Sequence, residues 1–321
     1  MKEVLFIRRN IEKWRQLEKV VETAHEQNPC RLADAYTEIT TDLSFSRSRY
    51  PQSRITIYLN NLASALHNVL YKNRKEPKSR IITFWTREIP LAMYSARREL
   101  LYSFLIFLLF SIIGCVSTIY DDGFARHIMG DGYIEMTLDN IANGNPMGVY
   151  DSESPVSMFI QIAFNNIRVS FIIFIFGLMT GFGTGILLLY NGIMIGTFQT
   201  FCFMQNIGLE SMLAIWLHGA LEISAIIISG AAGFVLGNGW LFPGTYPRSY
   251  AFVRGARLGL KIIVGLVPVF LLAAFIESFL TRHTEAPDAL RGGFIVISLA
   301  FVLFYYVFLP KRLYDNGVSK S

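Results

Sequence analysis

The chain has 321 residues, of which 52% are hydrophobic and 17% charged, with a formal net charge of +5 and a mean hydropathy of +0.39. This is too apolar for a soluble domain of that length and points to an all-α, polytopic membrane helical bundle. Residues 1–98 hold 18 of the 29 Lys and Arg but 10 of the 24 Asp and Glu, which suits a cytoplasmic face held against anionic lipid. With no RNA- or DNA-reading motif beside that charge, nucleic acid is excluded as a partner.

The first apolar run begins at residue 99, too late for a secretory signal. Before it, "FIRRNIEKWRQLEKVVETAH" places Ile11, Trp14, Leu17, Val20 and Val21 at helical spacing between charges. "RLADAYTEITTDLSFSRSRY" reads as a second helix ended by Pro51, and "ITIYLNNLASALHNVLY" as a third. "KNRKEPKSR" is a basic break. "IITFWTREIPLAMYSARREL" mixes aromatic and basic residues, as a helix lying in the membrane interface does before turning into a first span. The organisation read from this pass is a basic cytoplasmic or interfacial helical region over 1–98, a transmembrane bundle over 99–310 and a cytoplasmic tail over 311–321.

A span takes roughly 20 mostly apolar residues. Six segments qualify, at about 99–120, 167–189, 191–207, 210–237, 258–280 and 292–310. The alternative is five, with 167–207 broken or re-entrant. Loop charges favour six: residues 121–166 hold seven acids against Arg126, whereas 238–257 hold Arg248, Arg254 and Arg257 and no acid. The positive-inside rule then puts both termini in the cytoplasm and the acidic loop outside, in the inner (cytoplasmic) membrane of a cell. In that outer loop "GYIEMTLDNIA" and "SPVSMFIQIAFNNI" predict short surface helices.

Cys30, Cys115 and Cys202 are isolated and support neither a disulfide framework nor a zinc motif. The chemistry concentrates in "IWLHGALEISAII", where His218 and Glu222 stand one helical turn apart. Ionisable residues at membrane depth are costly and face the bundle interior. Asn166 before the second span, Asn191 between the second and third, Gln199 and Glu277 are the other polar groups at that depth. The readings are a packing pin, a metal site, a proton relay or the lining of a substrate path. No HExxH or CxxC completes a catalytic set, so an enzyme is not expected, and the sequence names neither a metal nor a cofactor. "GLMTGFGTG" carries Gly177, Gly181 and Gly185 at GxxxG spacing, which predicts tight helix packing, as do Gly219 and Gly230 beside the polar pair. Such faces suit a homodimer or another homo-oligomer.

The run "NNIRVSFIIFIFGLMTGFGTGILLLYNGIMIG", then "HGALEISAIIISGAAGF", then "LLAAFIESFLT" resembles the integral-membrane family of stage II sporulation protein M (SpoIIM), over residues 160–282. The N-terminal "FIRRNIEKWRQLE" and "YLNNLASALHNVLY" are similar to longer members. The family pattern falls here on Asn166, Gly177, Asn191, Gly192, His218, Gly219, Glu222, Gly230 and Glu277. The resemblance implies an all-helical multispanning protein; the family's founding member is a membrane partner that helps localise a cell-wall-degrading complex during engulfment. This chain differs in its long basic N-terminal region and large acidic outer loop. The expectation is a scaffold that recruits or positions membrane or envelope proteins in contact with lipid. The alternatives are a transporter, channel or lipid-handling protein with a cavity lined by His218, Glu222 and Glu277, and then a metal-dependent membrane hydrolase.

Overall fold

In a computed structural model, residues 3–23, 29–71, 79–144, 154–281 and 287–318 are described, and among them no strand occurs. The chain divides into two compact units, Met1–Arg80 and Ile81–Ser321.

Among its described residues up to Tyr71, the first unit contains three helices, α1 (Glu3–Glu22), α2 (Pro29–Arg49) and α3 (Arg54–Tyr71). Each contributes a stripe repeating every three or four residues: Phe6, Trp14, Leu17 and Val20; Leu32, Ala35, Ile39 and Leu43; Ile55, Leu59, Leu62 and Leu66. These stripes form one apolar core, which is what amphipathic helices of this spacing bury. Its polar edges are paired. The indole of the fully buried Trp14 donates to Asp42 Oδ2 at 2.8 Å, and Lys13 reaches the same oxygen at 2.5 Å. The hydroxyls of Ser46 and Thr56 meet at 2.6 Å.

The second unit begins within α4 (Ser79–Thr83). A π turn at Phe84–Glu88 and α5 (Ile89–Ser95) lead into α6 (Arg97–Tyr120). Composition predicts a helix lying in the membrane interface here, grouped with the basic region that runs to residue 98. Instead α5 is wedged into the bundle: Ile89, Ala92, Met93 and Ala96 belong to its core, Glu88 pairs with Lys261 at 2.6 Å, and the Trp85 carbonyl accepts from the Tyr305 hydroxyl at 2.5 Å. Ile81 and Ile82 keep the interfacial character and stay exposed.

Beyond α6 come α7 (Phe124–Met129), α8 (Asp131–Ala142), α9 (Pro155–Ile175), α10 (Phe182–Met204), α11 (Gly208–Leu241), α12 (Arg248–Phe275), α13 (Asp288–Leu303) and α14 (Leu309–Val318). A 3₁₀ turn extends α9 to Leu178, a π turn extends α12 to Leu280, and another joins α13 to α14. Among the described residues six helices are long and apolar enough to cross a membrane: Arg97–Tyr120, Pro155–Leu178, Phe182–Met204, Gly208–Leu241, Arg248–Leu280 and Asp288–Gly317.

The second and third spans fall earlier than hydropathy places them. "SPVSMFIQIAFNNI", expected as a surface helix, forms the opening turns of α9, where Ser154 caps the helix by accepting from the Ser157 amide. The spans then turn at Thr180 and Gly181, both at positive φ (57° and 80°), so the third span is a full 23-residue helix. The broken or re-entrant alternative falls away, because Gly181, read as a packing glycine in mid-span, supplies the turn between two full spans.

Burial identifies the central helix. Within its most apolar window, α11 is 67% buried and the α12 span 56%, against 17% for the first and last spans. The ionisable residues His218, Glu222 and Glu277 lie on the two most buried spans, while Asn166, Asn191 and Gln199 lie on α9 and α10.

Candidate functional site

On α11, His218 and Glu222 stand at i and i+4 and project from one face. The π turn Ile276–Leu280 at the end of α12 brings Glu277 towards that face, and α9 supplies Asn166. One ligating atom from each of His218, Glu222 and Glu277 lies within 4.8 Å of the others. His218 is 4% exposed, and Glu222 and Asn166 are half-buried.

The sequence allows His218 and Glu222 to pair with each other within their helix. The structure shows each turned towards a neighbouring helix. His218 Nδ1 lies 3.2 Å from Thr281 Oγ1 and Nε2 lies 3.7 Å from Glu277 Oε1. Asn166 Nδ2 donates to Glu222 Oε1. Thr281 also reaches the Ile276 carbonyl at 3.3 Å; a hydroxyl that donates there can accept from the Nδ1–H. In the neutral imidazole that assignment leaves the lone pair on Nε2, the nitrogen facing Glu277. Thr281 carries no signal of its own in the sequence, although it stands at i+4 from Glu277; only packing shows that it orients the ring.

Two carboxylates this close in a poorly polarisable setting repel unless a proton or a cation is shared between them. The cluster can therefore hold a proton, a metal ion or the positive end of a solute. Its residues fall at different points along their helices. His218 lies ten residues into α11, about 15 Å along the axis, whereas Thr281 closes the last turn of the α12 span.

Asn191 does not join the cluster. It lies in the middle of α10, and its amide donates to the Leu187 carbonyl of its own helix at 2.8 Å. Gln199 forms a separate pin between α10 and α11: it donates to Ser211 Oγ at 3.2 Å and accepts from Trp216 Nε1 at 3.1 Å.

The packing glycines divide. At Gly177 an added Cβ would collide with the Gly233 carbonyl oxygen, and at Gly230 one would collide with Ser103 Oγ. Gly181 is a turn residue set against Phe234. Gly185 has open space where a Cβ would go, and at Gly219 a Cβ would make only ordinary contacts, at 3.8–3.9 Å, with Ile215 and Ile223 of the same helix. Those two do not mediate close helix approach, because the turn at 179–181 and the rotation of α11 direct them away from a neighbouring backbone.

The family model of stage II sporulation protein M (SpoIIM) matches residues 103–282, more than half of the chain and all of the helices that build the cluster. A domain of unknown function (DUF8413) matches residues 4–72, the three-helix unit. Neither the curated proteins nor the solved structures contain a match. With six apolar helices of spanning length and a match that covers α9 to α12, the chain is an integral membrane protein of the SpoIIM family.

Proposed function

We propose that this protein binds a small cation or a cationic, polar group at a site built inside its helix bundle, on the outer side of the cytoplasmic membrane. The convergence of His218, Glu222 and Glu277 within 4.8 Å carries this reading. Three ionisable side chains from two helices, with Asn166 and Thr281 orienting them, are more than a packing pin requires. Other helix contacts in the unit, such as Ser170–Ser229 at 2.6 Å and Asn238–Glu99 at 3.0 Å, rest on a single polar pair. Such a site serves uptake, export or lipid handling. The SpoIIM family is not known as an enzyme family, and the reading is one of binding rather than catalysis.

The test is native mass spectrometry of the full chain from mild detergent, compared with the His218→Ala/Glu222→Gln double variant at matched folded yield. The wild type should retain a non-protein mass, an ion or a polar lipid, that the variant lacks. Equal retention by both overturns the reading.

A scaffold role is the second reading, and the three-helix unit at 3–71 favours it. That unit has its own apolar core and matches a domain separate from the membrane bundle, as a module that docks other proteins would. Envelope proteins or a second copy of the chain would then co-purify with wild type and be lost on replacing exposed residues of this unit, while the bundle stays folded. Co-purification that ignores such replacements would count against it.

A further inference from the structure

We infer that His218, Glu222 and Glu277 bind one divalent first-row transition-metal ion of the zinc or manganese class. The inference rests on the proposed intramembrane site and names its ligand.

One imidazole nitrogen and two carboxylate oxygens make a borderline-hard donor set that suits Zn²⁺ or Mn²⁺; the soft ions that prefer thiolates find none in the cluster. Donors about 2.0–2.2 Å from a tetrahedral ion stand roughly 3.3–3.6 Å from one another. His218 Nε2 and Glu277 Oε1 are already 3.7 Å apart. The full spread of 4.8 Å closes with side-chain movements of about 1 Å, within reach of carboxylates that are not fully buried.

The surroundings of the donors point the same way, and independently of their clustering. A metal-binding imidazole gives its other N–H to a fixed acceptor, which sets the tautomer and aims the lone pair at the ion. Thr281 Oγ1 is placed to do this for His218, with its own hydrogen turned to the Ile276 carbonyl. A ligating carboxylate is itself held by a hydrogen bond, and Asn166 holds Glu222. Finally, α12 departs from α-geometry at Ile276–Leu280, the five residues that contain Glu277. Single π turns of this kind are frequent where a helix presents a functional side chain. Three protein donors leave at least one coordination position for water or an incoming group, the arrangement of sites that act on a ligand rather than merely brace a fold.

The experiment uses the full chain in nanodiscs, stripped with a chelator and titrated with Zn²⁺, and separately with Mn²⁺, against a chromophoric competitor. In parallel, Glu222 and Glu277 are labelled with a hydrophobic carbodiimide, with and without Zn²⁺, and read by peptide mass spectrometry. Wild type should bind one equivalent of at least one of the two ions, and that ion should protect both glutamates from labelling. His218→Ala and Glu277→Gln should each lose stoichiometric binding, and Asn191→Ala should retain it. Should His218→Ala fail to fold, Thr281→Val leaves all three donors in place and should weaken binding by about 10- to 100-fold. Wild type that binds neither ion, or variants that bind as wild type does, overturns the inference. If the ions fail to bind while carbodiimide still reacts at Glu222 or Glu277, the metal falls and the polar site stands. If neither occurs, both fall.

Discussion

Gly177 and Gly185 sit in one glycine-rich run, yet a methyl group has opposite consequences at the two positions. At Gly177 it meets a backbone carbonyl of α11, which cannot swing aside as a side chain would. Gly177→Ala should therefore destabilise the bundle by about 1–3 kcal/mol, in the range of overpacked cores. Gly185→Ala meets nothing and replaces a helical glycine, so it should be neutral or stabilising by up to roughly 1 kcal/mol. Midpoints of unfolding in a mixed detergent series would check both, and equal losses would contradict the packing described. The same scale separates Asn166 from Asn165. Asn166 is half-buried and reaches Glu222, while its exposed neighbour faces outward. Periodicity along α9 distinguishes them only once α9 is known to start at Pro155.

Among the elements, α1 and α2 are joined at their polar edge chiefly through Asp42, with Glu38 a second, longer partner of Lys13 at 3.6 Å. Asp42 accepts from the Trp14 indole and pairs with Lys13, and Trp14 is fully buried. Asp42→Ala strands the indole N–H, and the expected cost is about 1–3 kcal/mol, seen as an earlier chemical unfolding of the N-terminal unit; an unchanged midpoint would remove Asp42 from the account. Tyr58 on α3 gives a pH signature. Burial first, and then its hydrogen bond to Glu18, raise its phenol from 10.0 to about 12. The folded-state value stands above that of the unfolded chain. Its contribution to stability is therefore complete below pH 10 and is lost as the pH rises towards 12. Tyr58→Phe should lessen the alkaline loss of stability in that window, measured by helical circular dichroism against pH. Identical alkaline profiles for variant and wild type would show that the phenol ionises as freely in the folded state as in the unfolded one. The π turn of α12 belongs to this scale too: it contains Glu277 and closes at Thr281, the two residues that meet His218.

For the whole molecule, six spans set the sign of every loop. Residues 121–144 and the start of α9 should lie outside, and the segment between Leu241 and Arg248 inside with both termini. With the three native cysteines replaced, single cysteines at Asp131 and Thr245 should react with an impermeant maleimide on opposite sides of the membrane. Labelling from the same side would overturn the topology. The two longest helices, α11 at 34 residues and α12 at 28, exceed the roughly 20 that hydrocarbon needs. The basic positions Arg248, Arg254 and Arg257 all lie in the first part of α12, which leaves them on the cytoplasmic side under this topology.

Sequence by itself determined the class of protein, the number of spans and the residues worth watching. Hydropathy depends on composition over some twenty residues, and six apolar runs remain six however they pack. The helical spacing of Trp14, Leu17 and Val20 likewise revealed a buried stripe, because a period near 3.6 belongs to the helix and not to its partner. The resemblance also drew notice to His218, Glu222, Glu277 and Asn166, among nine positions that include Asn191. Tertiary structure alone decided what those residues face. A hydropathy window averages over its ends and cannot tell a turn at Thr180–Gly181 from a packing glycine in mid-span, which is why Gly185 reads as a packing residue and Asn191 as one between two spans. The partners of His218 and Glu222 are 63 and 56 residues away in the chain, and no local period encodes which neighbouring helix a side chain will meet. The identity of a hydrogen-bond partner is a property of the packed bundle. For that reason Thr281, the residue that fixes the histidine ring, became visible only when α12 was seen to end against α11.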